Sequence, residues 1–321
     1  MYENLAAFYD SFTDDLDREN EARFLENIFL HFGNSGLRAL AAANLSGKAG
    51  GKGASRDGAS SEGASCDGAS SEGASLDCPS RDAASYGEER GNAVNGENID
   101  ASTLIIDVGC GTGELSLMMS KRGYDVTGLD VSAEMLDVAM KKAEKLGENV
   151  LWLCQDMCEM DTYGSYAAMF CLTDGVNHIL EKERLCEFFK NARNFIDPGG
   201  LLVFDFLPPR YFKRIAREGM LYDTREDGAC VWWGEYRRGV IDYEIECFIE
   251  QKDSPGEYDR YRDAVTERGW KKRQIKRLLG KCGFRVLQCR HYDEAKPDGG
   301  EALVNAGNVR SGRYFVVARR G

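Results

Sequence analysis

Three glycines alternate through Asp107-Val108-Gly109-Cys110-Gly111-Thr112-Gly113-Glu114-Leu115, at the point where an apolar run gives way to a helical pattern. Glycine reaches the positive φ values of a tight turn and lets a ligand approach the backbone without meeting a Cβ. A helix start adds unpaired N–H groups that suit a polar ligand. TLIIDVG (103–109) reads as a short buried strand and Glu114–Arg122 as a helix, with Leu115, Met118 and Met119 inward and Gly123 closing it. YDVTGLD (124–130) reads as a second strand ending in Asp130. A carboxylate there can accept both hydroxyl protons of a nucleoside ribose. A structural turn followed by a helix-capping aspartate would use the same residues. The order strand, turn, helix, strand, acid favours nucleoside binding.

The same alternation continues along the chain. Ser132 caps a helix that runs to about Leu146. NVLWLCQD (149–156), YAAMFCL (166–172) and GLLVFDF (200–206) are apolar strands. Lys182–Phe195 is a helix stopped by an Asp197-Pro198-Gly199-Gly200 turn. FRVLQCRHY (284–292) and RYFVVARR (313–320) read as closing strands after a helix at Lys272–Cys282. These elements predict an α/β, Rossmann-like, doubly wound fold with a mostly parallel seven-stranded sheet and ligands at the carboxyl ends of its strands. Between about 220 and 268 the period drops to two. Ile241, Tyr243, Ile245, Cys247 and Ile249 share one face, behind a hairpin turn at Arg237-Arg238-Gly239. This is a small antiparallel β insert, a candidate cap.

Residues 53–77 repeat a five-residue GAS-x-acid unit in five copies. Such a repeat offers too little apolar surface to offset the entropy of ordering, so residues 46–101 read as a disordered low-complexity linker. The expected organisation is an N-terminal helical segment over 1–45, that linker, and a catalytic domain over 102–321. The segment 1–45 belongs to the same domain, and Glu19–Phe32 is its main helix.

Net charge is −12, and the linker alone does not account for it: residues 47–102 hold five basic and ten acidic groups. An acidic chain argues against a nucleic-acid substrate. No apolar run is long enough to span a bilayer, and the first residues lack the pattern of a signal peptide, so a cytoplasmic protein without a membrane partner is expected. Eleven scattered cysteines fit a reducing compartment. Cys154 and Cys158 lack a second pair or a nearby histidine, so no metal is expected.

A dinucleotide fingerprint would read G-x-G-x-x-G. The spacing at Gly109, Gly111 and Gly113 is G-x-G-x-G, with Asp107 two residues ahead. IIDVGCGTGEL and GLDVSAEML (128–136) resemble the class I S-adenosylmethionine-dependent methyltransferases, in particular their small-molecule-type bacterial members. The resemblance covers residues 1–35 and 103–320. It implies S-adenosyl-L-methionine as cofactor. It places Asp107, Gly109, Cys110, Gly111 and Gly113 around the methionine moiety, Asp130 and Val131 at the ribose, and Asp156, Met157 and Cys171 toward the adenine and the neighbouring strand end. FCLTDGVNHIL (170–180) and YENLAAFYDSFTDDLD (2–17) are similar to further family segments. LTDGVN stands where DNA amino-methylating enzymes carry an Asn/Asp-Pro-Pro-aromatic run.

Methyl transfer needs alignment more than strong acid–base chemistry, so no catalytic triad is expected. The candidates are His178, Asp174, Asn177, Tyr9 and Asp205, near the ends of the fourth and fifth strands or on the N-terminal segment. Arg260 and Arg262 could offer a cap a cationic contact, or could simply be solvated. The implied function is methyl transfer to a small-molecule nucleophile. The alternatives are a nicotinamide-dependent oxidoreductase, a cofactor-binding module without catalysis, and methylation of a macromolecule.

Overall fold

The computed structural model describes residues 6, 9–12, 18–47, 102–162, 164–251, 253–291 and 312–321. Its helices are α1 (Arg18–Phe32), α2 (Ser35–Leu45), α3 (Glu114–Lys121), α4 (Ala133–Leu146), α5 (Lys182–Phe195), α6 (Pro209–Glu218) and α7 (Lys272–Lys281). Its strands are β1 (Leu104–Val108), β2 (Asp125–Asp130), β3 (Leu151–Cys154), β4 (Tyr166–Cys171), β5 (Ile196–Phe206), β6 (Leu221–Arg225), β7 (Gly228–Arg237), β8 (Val240–Gln251), β9 (Ser254–Arg268), β10 (Phe284–His291) and β11 (Tyr314–Arg320).

Seven strands form one sheet in the order β10-β11-β5-β4-β1-β2-β3. The inner pairs β1/β2, β1/β4, β2/β3 and β4/β5 are parallel, and β11 runs antiparallel to both β5 and β10. Successive side chains of a strand point to opposite faces, so neighbours on β1 enter different cores. Ile105 packs with Leu25 and Phe29 of α1, Leu37 of α2 and Met119 of α3. Ile106 and Val108 pack with Phe188 and Phe189 of α5 and Leu278 and Leu279 of α7. The sheet is therefore covered on both faces, which is why its inner strands read as unbroken apolar runs.

The strand order reverses between β1 and β4, and such a switch point opens a crevice at the carboxyl ends of the strands. The glycine loop leaves β1 there. The other four strands make a separate antiparallel sheet, β6-β7-β8-β9, over the expected insert. Arg238 and Gly239 have φ of 52° and 97°, which closes the β7–β8 hairpin as its sequence requires.

Two local expectations change. In α3 the buried apolar residues are Leu115, Leu117 and Met119, while Met118 is only partly buried. A helix lying in the crease between sheet and α1 is covered over more of its circumference than one stripe. The Asp197–Gly200 segment is a bulge inside β5 rather than a turn before it. The register jumps from Tyr166 opposite Ile196 to Ala168 opposite Leu201, with Gly199 at φ 78°. Of the low-complexity stretch 46–101, only Ser46 and Gly47 are described, as the C-terminal cap of α2 and the residue after it; the rest lies outside the described residues. No helix among the described residues is long and apolar enough to cross a membrane.

Candidate functional site

The glycine loop is tied to the end of β2 by backbone. Gly109 and Cys110 both donate to the Leu129 carbonyl, at 2.7 and 3.0 Å. Asp130 completes the tie: its Oδ2 accepts from the Gly111 amide at 2.8 Å and its Oδ1 from the Ser132 amide at 2.9 Å. Each oxygen keeps a lone-pair direction for a further donor. Ser132 Oγ then caps α4 by accepting from the Met135 amide.

The glycines do different work. Gly111 has φ 54° and open space where a Cβ would stand, and it lines a cavity of about 1040 Å³. Gly113 has φ 74°, does not line that cavity, and a Cβ there would come within 2.5 Å of the Trp152 ring and 2.8 Å of the Ala139 Cβ. Gly111→Ala is therefore expected to cost about 1 kcal/mol of stability through its left-handed backbone while obstructing the cavity. Gly113→Ala adds a clash and is expected to cost about 3 kcal/mol or more. Chemical denaturation of both variants, paired with ligand titration, checks this division; equal stability losses would refute it.

Asp107 ends the strand buried, accepting from Ser116 Oγ at 2.6 Å. Burial pushes its carboxyl up to about 7. The unfolded chain releases this proton at the ordinary carboxylate pKa near 4, so between those values the folded protein binds more protons. Stability from this group is full below about pH 4 and is lost as pH rises to about 7. The stability of Asp107→Asn relative to the parent should thus rise from about pH 5 to about pH 8 in paired denaturation series; a flat difference would contradict it.

The N-terminal segment closes over the loop. Tyr9 and Arg18 line the cavity beside Asp107. Asp10 accepts from Thr112 Oγ1 at 2.5 Å and pairs with Lys142, which also reaches Glu114 at 3.2 Å. Arg18 Nη1 donates to Glu21 at 2.7 Å and to Thr173 Oγ1 at 3.3 Å. Its buried Nε has no hydrogen-bond partner among the described residues. Burial pushes the Tyr9 phenol up to about 12, so it stays a proton donor at neutral pH.

At the far side of the loop, Val131, Asp156 and Met157 line the same cavity. Asp156 accepts from the Cys158 amide at 2.7 Å and from Arg184 at 2.6 Å. Cys110 lines the cavity too, its thiol held protonated by burial. Cys171 does not. It is fully buried at the end of β4, packed under Gly175, where a Cβ would meet its Sγ at 2.7 Å.

The acceptor side follows β4. Thr173 and Asp174 are consecutive non-glycine residues with φ of 60° and 59°. Such backbone costs roughly 1–3 kcal/mol per residue and persists only where surroundings fix it. Asp205 fixes it, accepting from the Thr173 amide at 3.1 Å and the Asp174 amide at 2.7 Å. Arg313 then bridges Asp205 at 2.7 Å and Asp174 at 3.0 Å. Asp174 and His178 line the cavity. His178 hydrogen-bonds to the Thr266 backbone, and burial lowers its pKa, so its ring is neutral at pH 7.

Asp205 and Asn177, both expected as catalytic candidates, do not line the cavity. Asn177 is fully buried and committed elsewhere: its Nδ2 donates to the carbonyls of Leu207 and Arg268, and its Oδ1 accepts from the Leu207 amide. Both residues hold strand ends in place. Arg260 and Arg262 also lie outside the cavity, exposed and paired across the cap sheet with Glu246. Leu221, Tyr222, Asp223, Arg225, Trp232 and Glu267 are what the cap contributes to the cavity wall. Among the described residues no group of three or more His, Cys, Asp or Glu is arranged to hold a metal ion.

Arg18, Arg313 and Glu267 carry no local motif, and spacing along the chain does not mark them. Arg313 stands 139 residues from the aspartate it pairs with.

Residues 105–200 match the methyltransferase-domain family. A putative methyltransferase of Geobacillus sp. strain WCH70 is 29% identical over 221 residues, covering 67% of this chain and 84% of that protein. The putative methyltransferase YqeM of Bacillus subtilis is 29% identical over 186 residues, covering 57% and 73%. Among solved structures, an S-adenosylmethionine-dependent methyltransferase of Clostridium acetobutylicum superposes with a TM-score of 0.58 at 20% identity, covering 68% and 84%, which speaks to the fold. With the G-x-G-x-G loop anchored on Asp130 at the switch point of a seven-stranded sheet, the chain has the Rossmann-like fold of the S-adenosylmethionine-dependent methyltransferases and is similar in sequence to methyltransferases.

Proposed function

We propose that the protein methylates a small-molecule nucleophile, and that donor and acceptor share the cavity between the glycine loop and the cap. The observation that supports this most is the continuity of that cavity. The loop and Asp130 line one part, and Asp174, His178 and Glu267 line another, with cap residues Trp232 and Tyr222 in the same wall. A space of about 1040 Å³ suits two small molecules side by side.

The residues present fit the donor. Asp130 would take the ribose hydroxyls on its remaining lone pairs, and Gly109 to Gly111 leave backbone room for the methionine chain. Asp107 faces its polar end, and Arg18 offers an unsatisfied buried Nε to its carboxylate. Asp156 and Met157 flank the adenine position, with Val131 at its exposed edge. The bound donor supplies a methyl group activated on a sulfonium sulfur. The chain's own part is to orient the acceptor and exclude water. Tyr9, from the N-terminal segment, closes the donor side. Gly113, Cys171, Asn177 and Asp205 act as positioning residues. Residues 1–45 and 102–321 work as one catalytic domain, with 221–268 as its cap.

The test incubates the full chain with S-adenosylmethionine labelled in its methyl group and an extract of small metabolites, protein and RNA. The expected label appears in the low-molecular-mass fraction. Label confined to protein or RNA would overturn the small-molecule reading.

A further inference from the structure

Glu267 is buried at 7% exposure, yet no hydrogen bond or ion pair reaches its carboxyl among the described residues. It sits one residue from the end of β9 and lines the cavity on the acceptor side. A buried carboxyl without a partner is costly, and a fold keeps one where a ligand completes it.

The charges around it say which ligand. Three carboxyls converge here, those of Asp174, Asp205 and Glu267, against one guanidinium. Arg313 is already held by Asp174 and Asp205. The other cations lining the cavity have acidic neighbours of their own: Arg225 pairs with Asp223 at 2.9 Å, and Arg214 with Glu218 at 3.7 Å. Three further titratable neighbours among the described residues, His178, Tyr211 and Tyr243, carry no charge at neutral pH. Burial keeps the His178 ring neutral and holds the Tyr211 and Tyr243 phenols protonated. Among the described residues, an anionic acceptor entering here would face Asp174 and Glu267, while the guanidinium of Arg313 is already held by Asp174 and Asp205. An ammonium ion would supply the missing charge and the missing hydrogen bond together.

Resting on the donor assignment above, we infer that the acceptor is an amine, bound through its ammonium group by Glu267 and Asp174, and that Glu267 takes its proton. The N–H bond breaks, and the proton passes to a Glu267 carboxylate oxygen. The freed nitrogen lone pair forms the bond to the methyl carbon. The carbon–sulfur bond breaks, and its electron pair stays on sulfur as a neutral thioether. The positive charge ends on the methylated nitrogen. Burial and the Asp174 charge both raise the proton affinity of Glu267, which suits it to this role. Glu267 also stands next to Thr266, whose backbone holds the His178 ring, so the proton acceptor and the histidine are positioned by one strand end.

The test is calorimetric, on the full chain, with and without saturating S-adenosylhomocysteine, so that a failure of the donor assignment shows in its own titration. Tyramine and glucosamine are the amine probes; 4-ethylphenol and glucose are their amine-free counterparts. Because burial raises the proton affinity of Glu267, seating an ammonium against its carboxylate should release a proton, seen as a dependence of binding heat on buffer ionisation enthalpy. At least one amine should bind more tightly than its counterpart. Glu267→Gln should weaken that amine about tenfold or more and abolish the proton release, with S-adenosylhomocysteine affinity unchanged. Glu267→Asp should recover part of both. If no amine outbinds its counterpart, or if Glu267→Gln leaves amine affinity and proton release as they were, the inference is overturned.

Discussion

Replacing Asp130 with alanine is expected to weaken S-adenosylhomocysteine binding by about 100-fold, because at least two charge-assisted hydrogen bonds of about 1.5–3 kcal/mol each are lost. Two effects add. The ribose hydroxyls lose their acceptor. The Gly111 and Ser132 amides lose theirs as well, so the loop that must receive the methionine chain is no longer pinned to β2. Asp130 is only half-buried, so the ligand-free protein should lose roughly 1–2 kcal/mol, the worth of ordinary hydrogen bonds. Calorimetry and denaturation of the same variant separate the terms. A binding loss under about threefold, well below the worth of one charge-assisted bond, would remove Asp130 from the donor site.

The second large effect concerns Arg313. Arg313→Met should destabilise the fold by about 3–5 kcal/mol, the range seen when one partner of a buried ion pair is removed. Asp205 has 3% exposure and would be left holding a charge against Asp174 with nothing opposite. Its carboxyl is already held above the usual carboxylate range by burial, despite the guanidinium. Without Arg313 its folded-state pKa rises further, so the variant regains stability as pH falls and Asp205 takes up a proton. The sign is that of any acid with a raised folded pKa: stability is present at low pH and lost as pH rises. The loss should therefore be larger at about pH 8 than at about pH 5. The strained turn should also relax, because Asp205 is what holds Thr173 and Asp174 at positive φ. A loss below about 1 kcal/mol at both pH values would mean the cluster is no more than a surface network.

These two residues mark what a sequence can and cannot disclose. Asp130 was legible because its role is local: a strand, a loop and a helix of fixed length bring it to the glycines. The same holds for the Ser132 cap and for the period-two cap strands. Arg313, Arg18 and Glu267 reach the cavity through tertiary packing, from the residue before β11, the N-terminal helix and the last cap strand. Nothing in their neighbours along the chain distinguishes them from solvated charges. Which candidate residues line the cavity is set by packing. Gly113 and Cys171 do not line the cavity: Gly113 packs against Trp152 and Cys171 lies under Gly175. Asp205 near the end of β5 and Asn177 in the turn after β4 are both engaged by backbone groups, Asp205 by Arg313 as well. Polar residues at such ends face two demands, closing the fold and meeting the substrate, and only the structure shows which one each serves.

The central claim is that the methyl donor occupies the cavity at the glycine loop. Isothermal titration of the full-length protein with S-adenosylhomocysteine tests it most directly, with NADH titrated in parallel. Binding of S-adenosylhomocysteine at one site in the micromolar range or tighter, with no heat from NADH, is the predicted result. Binding of NADH in its place, or no S-adenosylhomocysteine binding at high micromolar concentration, would contradict it.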